Sequence, residues 1–258
     1  MTRLPPGRQI PYGDHPDQVC NLHLPADGEG PWPTIVLIHG GFWRWGWDRT
    51  LMTPLARDLA GRGFAAWNVE YRRVGQEGGG WPGTFDDAAA AVDFLAELEA
   101  VDSTSVVTVG HSAGGHLALW LAARHRLAAG APGAAPRVRP CAAVSQAGIA
   151  DLARGAADGL GDGACVALLG GAPRELPERY AACSPGALLP LGVPQVLVHG
   201  SRDDIVPPAQ SRSHAEAASA AGDDVELVEV AGADHFDVVE TGHAAWAAVV
   251  NRLPRLLA

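Results

Sequence analysis

Residues 106–117 carry a serine at the junction between a β-branched run and a Leu- and Ala-rich helical pattern. The run Val106–Val109 leads into the pentapeptide Gly110-His111-Ser112-Ala113-Gly114. A serine on such a sharp strand-to-helix turn is raised above a sheet, where its hydroxyl can attack a carbonyl carbon. The flanking glycines leave room for neighbouring backbone, and Ser112 itself is expected at positive φ. The pattern predicts Ser112 as the nucleophile of an acyl transfer.

A serine hydroxyl needs a histidine to remove its proton and an acid to orient that histidine. Asp203 follows the apolar run Val196–Val198, and His235 follows the run Leu227–Val230. Because parallel strands end at a common edge of their sheet, both side chains are expected near that edge. The order of the three residues along the chain predicts His235 as the base and Asp203 as its acid.

Other residues of the same types leave alternatives open. Asp204 is a second candidate for the acid, and the carboxylate that is not used would cap a helix or stabilise a turn. His243 is the rival base, but it falls where the last helix is expected to begin, which favours a surface position. His39 and His199 each end a strand before a glycine, where hydrogen bonds to loop backbone are expected. His116, one helical turn after Ser112, is expected to pack.

The loop after the first buried strand offers backbone donors for an oxyanion. The run Thr34–Ile38 ends in His39-Gly40-Gly41-Phe42-Trp43. Glycines let such a loop turn its N–H groups toward a substrate oxygen, and the residue after the nucleophile supplies a further donor. We predict an oxyanion hole made by Gly41, Phe42 and Ala113. The choice among Gly40, Gly41 and Phe42 stays open, as does a glycine turn that simply ends the strand.

Tryptophans cluster after this loop. Trp43, Trp45 and Trp47 alternate along the chain, and Trp81 lies in a later glycine-rich loop. Tryptophans make large rigid apolar walls, so Trp43 and Trp81, with His111, are predicted to line the substrate pocket. Ordinary burial is the alternative for Trp43 and Trp81, and it is the favoured interpretation for Trp45 and Trp47.

Strand patterns alternate with helical patterns along the chain, which predicts an α/β fold with a mostly parallel sheet covered by helices on both faces. Residues 1–258 are expected to form a single domain. Residues 148–192 break the alternation and are predicted to be a small cap insertion over the carboxyl edge of the sheet. The remaining expectations are an irregular arm over 1–17, an edge strand Val19–Leu24, strands Phe64–Val69 and Val138–Val144, and helices Met52–Ala60, Thr84–Leu98 (Thr84 as N-cap), Pro208–Ala221 and Thr241–Leu257.

Composition excludes several classes of function. The net charge of −10 and the lack of a basic cluster argue against a nucleic-acid partner. Lysine is absent, which excludes Schiff-base and P-loop chemistry. The four cysteines show no metal-ligand spacing, so no metal or cofactor is predicted. The polar start Met1–Asp17 and the lack of a long apolar run predict a cytoplasmic protein without membrane contact. The predicted acyl-transfer residues make a small-molecule ester or amide the expected partner. A homodimer remains open.

The motifs together resemble the α/β-hydrolase superfamily. They are His-Gly-Gly-Phe-Trp (39–43), Gly-His-Ser-Ala-Gly-Gly (110–115), His-Gly-x-x-Asp-x-x-Val-Pro (199–207) and a late Gly-x-x-His ending at His235. The chain is most similar to kynurenine formamidase (arylformamidase) and to hormone-sensitive-lipase-like esterases, over residues 34–240. Phe42 replaces the third glycine of the lipase form, as in the formamidase form.

The resemblance implies a Ser112–His235–Asp203 triad that cleaves an ester or activated amide, with a small acyl group and an aromatic leaving group. A non-hydrolytic binding or acyl-transfer protein on the same fold is the alternative, because fold alone does not determine function. A small acyl-peptide hydrolase is a third.

Overall fold

The chain builds an eight-stranded sheet in the order β1-β2-β4-β3-β5-β6-β7-β8. The structure is a computed structural model that describes residues 7–258. The pairings β1–β2 and β2–β4 are antiparallel, and the other five are parallel. The strands are β1 (Arg8–Pro11), β2 (Val19–His23), β3 (Trp32–Ile38), β4 (Ala65–Val69), β5 (Val101–His111), β6 (Ala142–Gln146), β7 (Gln195–Gly200) and β8 (Val225–Val230).

Helices fill most connections between the parallel strands. They are α1 (Thr53–Gly61), α2 (Gly83–Asp93), α3 (Ala113–Ala123), α4 (Leu152–Ala157), α5 (Leu160–Leu169), α6 (Pro177–Cys183), α7 (Ala209–Ala220), α8 (Ala244–Val250) and α9 (Leu253–Leu256). Among residues 7–258, every helix falls short of the length and apolar character that crossing a bilayer requires.

Alternate residues of the central strands face two separate cores. Ile35 and Leu37 of β3 pack with α1, α8 and α9, whereas Val36 and Ile38 pack with α2 to α6. All four side chains are buried because helices cover both faces of the sheet. Strands covered in this way read as continuous apolar runs, and for that reason β3 was recognisable from sequence.

The N-terminal side of the sheet differs from the prediction. Residues 8–11 lie within the expected irregular arm, but they form β1, with Ile10 opposite Cys20 of β2. The strand Val19–His23 is therefore not an edge strand. β1 is short and largely exposed, so it lacks the apolar alternation that would have indicated it. The part of the arm over residues 1–6 lies outside the described residues.

Prolines explain two further differences. The predicted strand Val138–Val144 begins only at Ala142, because Pro140 has no N–H to donate to a sheet ladder. The predicted final helix divides into α8 and α9, with Pro254 in the first turn of α9.

The helix expected at Thr84–Leu98 begins one residue earlier and ends as α2 at Asp93, followed by a 3-10 turn. Thr84 is not its N-cap. Its hydroxyl instead accepts a hydrogen bond from the Gly80 N–H at 3.0 Å and donates one to the Arg72 carbonyl. Thr84 therefore ties α2 to the glycine-rich loop that precedes it.

Residues 148–192 carry α4, α5 and α6 and contact the loop after β3. Three consecutive left-handed residues, 161–163, interrupt the start of α5. A Cβ on Gly161 would lie 2.6 Å from the Phe42 ring, and the Arg44 guanidinium donates to the Asp162 carbonyl at 2.9 Å. The segment is thus held against the predicted oxyanion loop.

The four cysteines are all free thiols. Cys20, Cys165 and Cys183 are buried, and Cys141 is half-buried. Burial raises the pKa of the Cys165 thiol to about 12 and raises that of the other three as well. These side chains belong to the packed interior.

Candidate active site

Ser112 occupies the sharp turn between β5 and α3. Its φ is 55° and its ψ is −118°, and its N–H donates to the Gln146 carbonyl of β6 at 2.7 Å. A Cβ on Gly110 would lie 1.9 Å from the Gly114 carbonyl oxygen, and one on Gly114 would lie 2.0 Å from the Ile38 carbonyl oxygen. Both glycines are therefore required by close backbone packing, which holds the serine at the end of the sheet.

His235 and Asp203 meet at the same edge from the loops after β8 and β7. The His235 Nδ1–H donates to Asp203 Oδ2 at 2.6 Å. The other carboxylate oxygen of Asp203 accepts the N–H groups of Ile205 and Val206 at 3.0 and 2.9 Å. Burial alone would raise the pKa of Asp203. Hydrogen bonds from His199 and His235, the charge of His235 and the Val206 amide outweigh burial, so the pKa lies far below its usual value. Asp203 is thus a carboxylate that fixes the orientation of His235.

A second imidazole also contacts Asp203. His199 Nε2 lies 3.2 Å from Asp203 Oδ2 and 2.9 Å from the Val206 carbonyl oxygen. Its Nδ1 is 2.7 Å from the Ser211 hydroxyl on α7. The sequence predicts that His199 hydrogen-bonds loop backbone, and the Val206 carbonyl is such a partner. The contact with the Asp203 carboxylate is an additional one.

Ser112 and His235 open into one cavity of about 240 Å³. The cavity is mostly apolar and is lined by Gly41, Phe42, Trp47, Leu51, His111, Ser112, Ile205, His235 and Phe236. Among the described residues the structure has no direct hydrogen bond between Ser112 and His235. Such bonds commonly tighten only when substrate is bound. Serine, imidazole and carboxylate are nevertheless brought to one place.

His111 connects the elbow to the loop that carries His235. Its Nε2 lies 2.9 Å from the His235 carbonyl oxygen, and the two rings are 4.7 Å apart. Burial, together with the nearby His235 ring, lowers the pKa of His111 to about 3. The ring is therefore neutral, and since a carbonyl only accepts, Nε2 carries its proton. The other ring nitrogen packs on Gly40, where a Cβ would lie 2.7 Å away.

The predicted oxyanion donors lie beside Ser112. Gly41 and Phe42 line the cavity with φ values of 108° and 52°, and the Arg44 N–H closes the turn on the Gly41 carbonyl at 3.0 Å. Ala113 begins α3, where the first N–H groups of a helix have no partner within the helix. Candidate donors from the loop after β3 and from the start of α3 therefore flank Ser112.

The tryptophans are arranged differently from the prediction. Trp43 is fully buried, donates from its indole to the Ala113 carbonyl at 3.1 Å and does not line the cavity. Left-handed φ angles at Phe42 and Trp43 turn the chain so that this side chain points into the core. Trp81 lies against Phe85 and beneath the Arg179 guanidinium, and it lines a separate cleft.

The aromatic wall of the cavity is instead Trp47, with Phe236. Their rings stack with centroids 5.8 Å apart, and they are 44% and 37% exposed. Trp45 is 71% exposed, so ordinary burial holds for neither Trp45 nor Trp47. Sequence reasoning missed Trp47, Phe236, Leu51 and Ile205 as cavity residues. The only signals were that Phe236 follows His235 and Ile205 lies two residues after Asp203.

The alternative residues lie elsewhere. Asp204 is exposed, and the carboxylate that bonds to His235 is that of Asp203. His243 is the N-cap of α8, where its Nδ1 accepts the Ala245 N–H at 3.2 Å. His116 is buried and hydrogen-bonds the Cys183 carbonyl at 2.8 Å. None of the three lines the Ser112 cavity.

A second buried carboxylate anchors the loop behind the site. Glu70 accepts from His39 Nε2 at 2.9 Å and pairs with Arg49 and Arg73 at 3.4 and 3.3 Å. Burial alone would raise the pKa of Glu70. The pKa is nevertheless lowered, because Glu70 accepts hydrogen bonds from His39 and the Arg49 amide and lies near the charges of His39 and Arg73. The other ring nitrogen of His39 hydrogen-bonds the Gly40 carbonyl oxygen at 2.7 Å.

Within residues 7–258 no group of three or more His, Cys, Asp or Glu side chains could hold a metal ion.

Comparison with known proteins gives a family match over most of the chain. The BD-FAE family model matches residues 20–217. Curated relatives match a shorter stretch: an isoprenylcysteine alpha-carbonyl methylesterase of Arabidopsis thaliana is 30% identical over 114 residues, which cover 43% of this chain and 26% of that protein. The chain thus matches only about a quarter of the length of these relatives.

Solved structures match nearly the whole chain. A truncated carbohydrate esterase from gut microbiota superimposes with a TM-score of 0.84 at 19% identity, covering 99% of this chain and 98% of that one. This likeness concerns the fold. A butyrate-bound thermophilic esterase from the planctomycete Thermogutta terrifontis has a TM-score of 0.78 at 25% identity, covering 99% and 94%.

Proposed function

The chain belongs to the BD-FAE family of α/β-hydrolases, and from this premise we propose that it hydrolyses carboxylic esters through Ser112, His235 and Asp203. The prediction of an α/β-hydrolase is confirmed by the family match. The esterases among the solved relatives support ester hydrolysis as its reaction. The observation that carries the proposed triad is the 2.6 Å His235–Asp203 pair, whose imidazole shares one cavity with Ser112.

In the proposed reaction, His235 takes the Ser112 proton at Nε2 while Oγ attacks the acyl carbon. Asp203 holds the proton on Nδ1, so Nε2 is the nitrogen free to act as the base. The imidazolium then protonates the leaving alcohol, which departs and leaves the acyl group on Ser112. Water attacks this acyl-enzyme, again with His235 as base, and releases the acid.

The tetrahedral intermediates place a negative charge on the former carbonyl oxygen. The N–H groups of Gly41, Phe42 and Ala113 are the proposed donors to that oxygen. They are backbone groups fixed by the turn after β3 and by the start of α3, so they need little rearrangement as the charge develops.

We propose a small acyl group as the substrate of this site. The cavity of about 240 Å³ is smaller than typical pockets for drug-sized ligands, and its walls are mostly apolar. The Thermogutta terrifontis relative binds butyrate, which supports a short acyl chain here. The resemblance to arylformamidases adds N-formyl aryl amides as a candidate substrate class. The stacked Trp47 and Phe236 at the cavity would contact an aromatic leaving group.

The first test is turnover of p-nitrophenyl acetate by the wild type and by Ser112→Ala. We expect the variant to lose activity by a factor on the order of 10³ or more while its thermal unfolding stays unchanged. Equal turnover by both proteins would exclude Ser112 as the nucleophile. Two equally inert proteins would favour the non-hydrolytic alternative.

The base is tested by the matched pair His235→Ala and His243→Ala. We expect a comparable loss for His235→Ala, whereas His243→Ala should retain kcat and lose only part of an N-cap contribution, about 1 kcal/mol of stability. A series of p-nitrophenyl esters from acetate to octanoate, run beside N-formylkynurenine, then identifies the acyl group. A rate that increases toward octanoate would contradict the small-acyl proposal.

A further inference from the structure

Asp203 faces two imidazoles, and only one of them belongs to the proposed triad. We infer that His199 is a positioning residue that fixes the Asp203 carboxylate and limits how strongly it holds the proton on His235. The inference about the carboxylate rests on geometry, and its consequence for turnover rests on the proposed function.

The hydrogen-bond partners of His199 determine its tautomer. Nε2 is 2.9 Å from the Val206 carbonyl oxygen, which only accepts, so in the neutral ring Nε2 carries the proton. Nδ1 then accepts from the Ser211 hydroxyl at 2.7 Å. The N–H end of the ring thus lies against Asp203 Oδ2, at 3.2 Å. Both His199 and the carboxylate are fully buried, so no solvent screens this contact.

The same carboxylate oxygen accepts from His235 Nδ1 at 2.6 Å. A donor dipole from His199 reduces the negative potential that Oδ2 presents to His235. Removal of this donor leaves the carboxylate more negative and makes the His235 imidazolium more stable. His235 should then remain protonated to a higher pH, and the acid limb of kcat/KM should move the same way.

Other charged and titratable groups face the pair from the adjoining elements. His111, at the end of β5, stacks beside His235 at 4.7 Å and is neutral. Asp234, an exposed neighbour in the His235 loop, caps the Phe236 and Asp237 amides. Arg202, beside Asp203, is exposed. Solvent screens these last two, whereas His199 touches Asp203 in the interior.

A purely structural histidine is the competing explanation, because His199 also ties β7 to α7. That role would change stability and leave the protonation of His235 unaltered. His214 offers a matched control, since it is likewise buried, lies on α7 three residues after Ser211 and hydrogen-bonds Gln195 at 2.8 Å.

The experiment is a pH titration of the full protein by NMR with ¹⁵N-labelled histidine. The His235 ring signals are assigned by their loss in His235→Gln, and the titration needs no turnover. We expect His199→Phe to raise the His235 midpoint by about half a pH unit. Ser211→Ala, which removes the donor to Nδ1, should produce a smaller rise. His199→Gln, which restores an N–H donor, should return toward wild type, and His214→Phe should leave the midpoint unchanged.

Unchanged midpoints in both His199→Phe and Ser211→Ala would overturn the inference, as would an equal shift in His214→Phe. If His199→Phe does not fold, Ser211→Ala and His199→Gln decide the question. A shifted titration in a protein that hydrolyses no ester would contradict the proposed function and leave the positioning role of His199 standing.

Discussion

Two buried carboxylates in this protein each accept a hydrogen bond from a histidine, yet their surroundings differ. Glu70 binds His39 at 2.9 Å, and Asp203 binds His235 at 2.6 Å. His39 uses its second ring nitrogen on the Gly40 backbone, whereas the His235 ring opens into the Ser112 cavity. A histidine with both nitrogens bound by protein has none free to exchange a proton with substrate, whereas one with a nitrogen facing a cavity can do so.

The partners of the two carboxylates also differ. Glu70 has two arginines within salt-bridge distance in addition to His39. Within the part of the chain that the structure describes, the partners of the Asp203 carboxylate are only imidazoles and backbone amides. The permanently charged Arg49 and Arg73 hold the Glu70 carboxylate in place, which makes it a structural anchor. Without such cations, the negative charge of Asp203 is directed to the imidazoles beside it. The surroundings of a histidine–carboxylate pair, and not the pair itself, therefore decide whether it is suited to proton transfer or to structural support.

The largest expected effect is on the Asp203 side. Asp203→Asn should lower kcat for p-nitrophenyl acetate by a factor on the order of 10⁴, because the amide no longer fixes the proton on His235 Nδ1. Asp204→Asn, which changes the exposed neighbour, should remain within about two-fold of wild type. Similar losses in the two variants would mean that Asp203 is not the orienting acid.

Glu70→Gln should show the opposite pattern. It leaves Arg49 and Arg73 without their buried counter-charge and should cost about 3 kcal/mol of unfolding free energy. The kcat of the molecules that remain folded should stay within several-fold of wild type. Urea denaturation gives the first quantity, and active-site titration with turnover gives the second. A kcat loss as large as that of Asp203→Asn would mean that the His39–Glu70 pair is not merely structural.

The pH dependence of stability tests whether Glu70 acts as a charged structural anchor. The folded-state pKa of Glu70 is below its ordinary value of 4.5. Its contribution is therefore complete above about pH 4.5 and is lost as the pH falls toward the folded pKa. Thermal melts between pH 7 and pH 3 should show a steeper decline for wild type than for Glu70→Gln. Parallel curves would mean that Glu70 is not the charged anchor described above.

The smallest effect is expected at the open side of the cavity. Trp47→Ala removes one wall and should raise KM for butyrate esters by about five-fold with kcat nearly unchanged, since apolar contact binds ground state and transition state alike. Trp45→Ala, at a more exposed tryptophan that does not line the cavity, is the matched control. If the two variants behave alike, Trp47 does not contact the substrate.

Much of the frame could be predicted from the sequence, because strong local signals specify it. Continuous apolar runs identify buried strands, and the carboxyl ends of parallel strands share one edge. The turn glycines around Ser112 are explained by backbone packing that leaves no space for a Cβ. Hence the sequence alone predicts that Ser112, Asp203 and His235, which are far apart along the chain, lie together.

The direction of side chains could not be predicted in the same way. Trp43 turns inward because Phe42 and Trp43 adopt left-handed φ angles that non-glycine residues rarely show. Trp47, four residues further along, lines the cavity instead. β1 could not be predicted because its residues lack an alternating apolar pattern, and the strand forms only by pairing with β2. Likewise, the contact of His199 with Asp203 depends on the fold of a loop that no periodicity describes.

The packed cysteines give this protein an unusual chemical selectivity. Alkylating reagents attack the thiolate, and burial keeps Cys20, Cys165 and Cys183 protonated and covered, while the half-buried Cys141 also has a raised pKa. Iodoacetamide should therefore leave the folded protein unlabelled. A fluorophosphonate reporter, which reacts with activated serines, would meet no competing sulfur nucleophile, so that covalent tagging would count intact Ser112 sites directly if Ser112 is the nucleophile, as proposed.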